Sequence, residues 1–65
     1  MESSDTVRKI IEEDGRLLVS FLRHAAYYSV PLTDSALCAK IRDALKNSQE
    51  IHFTHDRNYV ISSIH

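Results

Sequence analysis

The sequence predicts a mainly α domain with a C-terminal β-hairpin, an α+β chain in winged-helix order, and three observations carry that expectation. Apolar residues recur at helical spacing before Pro31, a well-capped helix follows it, and residues after 50 alternate in hydrophobicity. The alternative is an all-α three-helix dimer with a helical tail. A length of 65 residues gives one small domain, 1–65, that buries only about 60% of its unfolded surface. Such a domain usually leans on disulfides, a metal or a partner, and a single cysteine excludes an internal disulfide.

Asp5 or Thr6 can cap a first helix in which Val7, Ile10 and Ile11 keep helical spacing, and Gly15 stops or weakens it. From Arg16 to Ser29, Leu17, Leu18, Phe21, Leu22, Ala25 and Tyr28 form one wide stripe. If Gly15 is tolerated, both pieces fuse into one helix of about 24 residues; two helices fit the pattern equally. Val19, Ala26 and Tyr27 fall off the stripe, so the helix is apolar over more of its circumference than one-sided packing requires. A homodimer or partner interface through Leu17, Leu18, Phe21, Leu22, Ala25, Tyr27 and Tyr28 accounts for that excess.

Pro31 disfavours helix at Val30 and ends the pattern. Thr33 then reads as an N-cap, Asp34 adds negative charge to the first turn, and Leu32 and Leu37 form a hydrophobic staple. Leu37, Ile41 and Leu45, with Ala44, face the core, and the helix runs to about Lys46, with Asn47 suited to a left-handed terminus. In the tail, Ile51 and Phe53 share one face, with His52 and Thr54 on the other. Asp56, Arg57 and a left-handed Asn58 make the loop, and Tyr59, Val60 and Ile61 begin the return strand. The competing reading is a helix capped by Thr54, with Arg57, Val60, Ile61 and Ile64 on one face.

A net charge of −1 provides no field to steer the chain to nucleic acid or anionic lipid. No run of apolar residues is long enough for a membrane helix and no leader is visible, so a cytoplasmic setting is expected. Cys38, His24, His52 and His55 are zinc-competent but poorly spaced, so no metal and no cofactor is expected. Glu12, Glu13 and Asp14 read as a solvated face, and a single glycine excludes a phosphate-binding loop. No catalytic residue is assigned and no enzyme is expected. The winged-helix alternative makes the chain a DNA-binding transcription regulator, with Ser35, Ala39, Arg42 and Lys46 on the groove-entering helix and Arg57 at the wing tip. Asp34, Asp43 and Asp56 oppose those bases.

The stretch Leu32, Thr33, Ala36, Leu37, Cys38, Ala39, Lys40, Ile41 and Leu45 resembles the centre of the small enterobacterial two-component connector or biofilm-development regulator family. The apolar spacing of Leu18, Phe21, Leu22, Ala25 and Ala26 before it, and of Val60, Ile61 and Ile64 after it, is similar. The resemblance implies a helical homodimer that binds a regulatory protein and carries no catalytic residue. The strand-like Glu50 to Tyr59 departs from it. The expected function is therefore that of a small, non-catalytic regulatory protein acting through protein–protein contact in transcription or signalling.

Overall fold

Asp14 and Gly15 set the architecture. Both take positive φ, 50° and 76°, as a two-residue type I′ turn requires, so the chain reverses there instead of continuing as a helix. The computed structural model describes Met1 to His65 and is built mostly of strands. Strand β1 (Glu2–Glu13) and strand β2 (Arg16–Phe21) flank the turn as an antiparallel hairpin, Glu13 opposite Arg16.

Strand β1 serves two partners because it is bulged. Asp5 and Val7 point inward; the register then slips between Val7 and Lys9, so Arg8 and Lys9 are both exposed and Ile10 turns to the core. Glu2 to Thr6 pair with strand β4 (Glu50–His55), and the residues from Val7 onward pair with β2. Along β2, Leu17, Val19 and Phe21 alternate inward, the period of a strand. Strand β3 (Tyr28–Pro31) pairs with β2, and Pro31 closes it at an edge.

Helix α1 (Ser35–Lys46) buries Leu37, Cys38, Ile41 and Ala44. Its cap is Asp34, one residue later than expected, whose side chain accepts from the Leu37 amide at 3.2 Å. Asn47 is the C-cap at φ −95°, and the left-handed position falls to Ser48 instead. Strand β4 points Ile51, Phe53 and His55 inward, and β5 (Ile61–Ile64) pairs back onto it. In the loop between them the left-handed residue is Tyr59, not Asn58, because the Asp56 carboxylate draws in the amides of Asn58 and Val60.

The sheet order is β3-β2-β1-β4-β5, and its ends approach each other. Ser29 meets Val60 in a parallel bridge, its amide donating to the Tyr59 carbonyl at 2.9 Å. Five strands closed this way, with a helix between β3 and β4, form an OB-type barrel. Thirteen buried side chains fill it, centred on Phe21 stacked on Phe53 at 4.7 Å with the Tyr28 ring edge-on to both. Each fully buried aliphatic or aromatic side chain contributes about 1.5–3 kcal/mol. No helix is long and apolar enough to cross a membrane.

The mainly α expectation, in both its winged-helix and three-helix forms, is therefore overturned. Residues 5–14 and 16–29 are strands and a loop, because inward alternation in a closed barrel buries Leu17, Phe21 and Tyr28, which a helical stripe would also bury. The apolar surplus on residues 17–28 is largely consumed by the barrel interior, which removes the all-round apolar helix from which a dimer was expected.

Candidate interaction surface

The six residues joining β2 to β3, Leu22 to Tyr27, form a loop held from beneath by Asp5, which has no exposed surface. The Asp5 carboxylate accepts from the amides of Thr6 (2.7 Å) and Arg23 (2.9 Å) and from Nδ1 of His24 (2.5 Å). Facing a group that can only accept, His24 Nδ1 carries the proton. Burial pushes the Asp5 carboxyl upward, but the bonds from His24, Thr6 and Arg23, with the Arg23 charge at 3.4 Å, outweigh it and hold the group below the ordinary carboxylate value. Arg23 also reaches the Ser4 carbonyl and Glu50, each at 3.1 Å. The Leu22 amide completes the anchorage on the Thr6 carbonyl.

This loop and Arg8 enclose an open cleft of about 330 Å³. Leu22 and Tyr27 stand at its rim, 62% and 46% exposed. Arg8 donates to the Ser20 hydroxyl at 3.2 Å. The fixed loop thus presents two large apolar side chains beside a guanidinium.

A second polar cluster lies inside the barrel mouth. The Ser3 hydroxyl is 3.1 Å from His55 Nε2, and His55 Nδ1 is 2.9 Å from the Asp56 carbonyl. Tyr28 and Tyr59 pack their rings on His55. Burial pushes the Tyr28 phenol above its usual value, against the opposing bond with Ser3. The hydroxyl–imidazole spacing suits nucleophile activation. Both clefts in the structure, however, are lined by other residues.

No family model matches the chain, and no curated protein matches it. Two solved structures do. Pro-protein-glutaminase and a variant of it superpose with TM-scores of 0.82 and 0.84, at 26% and 25% identity, each over 94% of this chain. The chain spans 23% of the length of either. The likeness is thus to one portion of those proteins.

Of the residues assigned to an interface from sequence, Leu17, Phe21 and Tyr28 are buried core side chains, and Leu18 is half-buried. Leu22, Ala25 and Tyr27 are exposed and lie together on the cleft. They sit on a loop, not on a helix face. Ser35, Ala39, Arg42 and Lys46 are exposed on α1 and Arg57 is exposed beyond β4, but the winged-helix frame that united them is absent from this barrel. Arg42 pairs with Glu12 at 3.4 Å, so one expected base faces an acid of the β1–β2 hairpin. Cys38 lies in α1 with its thiol on the Pro31 carbonyl, His52 is outside β4 and His55 inside. No three His, Cys, Asp or Glu residues are placed to share a metal.

The α1 segment that carried the connector-family resemblance keeps its helix, but the helical fold implied for the rest of the chain is replaced by the barrel. Sequence reasoning missed Asp5 and Arg8. Only an inward-facing acid within an alternating strand pattern marks Asp5, and the helical period hides that alternation.

Proposed function

We propose that this chain is a small, non-catalytic regulatory module that acts by binding another protein through the cleft formed by Arg8, Leu22, Ala25 and Tyr27. One observation carries the reading: Leu22 and Tyr27 stay exposed on a loop that the buried Asp5 carboxylate fixes in place. Prefixed rigid anchors lose little entropy on association. We take protein-glutaminase, part of whose pro-form this chain resembles, as the class of partner. The fold alone does not decide this, since OB-type barrels host many functions. A cytoplasmic setting fits the free, buried Cys38 thiol.

The test is a calorimetric titration of the chain into mature protein-glutaminase, with ammonia release from a glutamine-bearing protein followed in parallel. Binding and slowed release are expected, with both lost in the Leu22→Asp/Tyr27→Asp variant whose circular dichroism matches the parent. An enzyme that neither binds nor slows overturns the partner class. Sedimentation of the chain alone identifies a second copy as the occupant if self-association disappears in the same variant.

A further inference from the structure

Resting on the protein-binding reading above, we infer that this cleft receives an acidic, apolar peptide segment, with a carboxylate side chain on the Arg8 guanidinium and a neighbouring apolar side chain against Leu22 and Tyr27. The residues lining the cleft include Arg8, Arg23 and His24 and no carboxylate, Asp5 lying beneath the loop and Glu50 reaching only Arg23. That is a local inversion, because acids outnumber Lys and Arg nine to eight in the whole chain.

The two arginines are not equivalent. Arg23 is engaged by Asp5 and Glu50 and by the Ser4 carbonyl. Arg8 takes part in none of the ion pairs of the structure and gives one hydrogen bond to a neutral hydroxyl, that of Ser20. A guanidinium has five N–H donors in a planar fork that matches a carboxylate with two parallel bonds. Arg8 is exposed and thus carries unused donors beside two exposed apolar side chains. The cleft volume, about 330 Å³, has room for a short segment and lies at the small end of ligand sites.

A peptide fits this chemistry better than a nucleic acid. A nucleic-acid binder typically collects about 6–10 phosphate contacts, whereas one unengaged cation lines this cleft and apolar surface accompanies it. Tyr and Arg side by side are also the residue types that dominate protein interfaces.

Random dodecapeptides displayed on phage and selected on the immobilised chain supply the probe. The enriched sequence is then synthesised together with a twin whose glutamates and aspartates are replaced by their amides, and both are titrated by fluorescence anisotropy. Selection is expected to return acidic residues next to leucine or aromatic ones. Arg8→Gln should weaken the acidic peptide roughly tenfold and leave the amide twin unchanged, the size of a lost charge-assisted bond. Added salt should weaken only the acidic peptide. Recovery of no binder, of binders without carboxylates, or of a peptide that Arg8→Gln holds as tightly overturns the inference. Retention of protein-glutaminase binding by Arg8→Gln, with its loss in Leu22→Asp/Tyr27→Asp, overturns the acidic segment alone and leaves the protein-binding reading standing.

Discussion

The Asp5 carboxylate and the His24 ring meet at 2.5 Å beneath the β2–β3 loop, joining the first strand to a segment outside its ladders. Asp5 accepts three hydrogen bonds with no access to water. Asp5→Asn turns one acceptor oxygen into a donor that faces another donor. Unfolding in urea should show a loss of about 2–3 kcal/mol, the cost of an unsatisfied buried partner of a charge. Glu50→Gln touches the same Arg23 from an exposed position and should cost under about 1 kcal/mol. Equal losses for the two variants refute this division.

Acid should weaken the fold through the same group. The folded-state value of Asp5 lies below that of the unfolded chain, so its stabilisation is complete above the ordinary carboxylate value near 3.9. It is lost as pH falls through the lower folded value. Asp56, though exposed, acts in the same direction, held low chiefly by the Val60 amide, against a desolvation cost and with help from Asn58 and His55. Urea midpoints should therefore drop steeply below about pH 4, and Asp5→Asn should flatten the drop. An unchanged pH slope in that variant assigns the acid sensitivity elsewhere.

The aromatic centre of the barrel makes Phe53 the costliest single truncation. Phe53→Ala removes the partner stacked on Phe21 and leaves a cavity, for an expected loss of about 3–5 kcal/mol in the same assay. Tyr28→Phe keeps the ring and loses only the hydroxyl, at an expected cost of about 1 kcal/mol. In an ultraviolet titration of the parent, one phenol should ionise above the usual value near 10 and be missing from Tyr28→Phe.

Gly15 offers a purely backbone test. A Cβ there would meet nothing within 4 Å, yet φ is +76°. Gly15→Ala should therefore cost about 1 kcal/mol from conformation alone. For a domain of this size that is a fall in Tm of about 4–8 °C.

The parts of the fold that were legible are those whose signals are local. Pro31, the Leu32–Leu37 staple and the Leu37, Ile41 and Ala44 spacing placed α1, and the alternation of Ile51 and Phe53 placed β4. Residues 5–30 were misread because Leu17, Leu18, Phe21 and Leu22 satisfy a helical stripe, while Leu17, Val19 and Phe21 satisfy a strand. The arbiter is the Asp14–Gly15 dipeptide, a strong hairpin signal, of which the helical reading uses Gly15 alone, as a stop or a weak point. In the candidate site, Leu22, Ala25 and Tyr27 stood in the sequence-derived set, though for a helical reason. Arg8 and Asp5 did not, since their roles depend on contacts with the β2–β3 loop that no short sequence window contains.

The parallel meeting of Ser29 with Val60 also governs how the chain reaches its native state. Ring closure needs a strand from the end of the sequence, and β1 likewise waits for it, since Ser4 and His52 are 48 positions apart. Each such pairing must absorb the entropy of a long loop before it is rewarded. Folding should consequently run in milliseconds to seconds, slow for so short a chain, where a helical bundle of equal length would need only microseconds to milliseconds. During synthesis the β1–β2 hairpin must persist unsealed until β4 and β5 have left the ribosome.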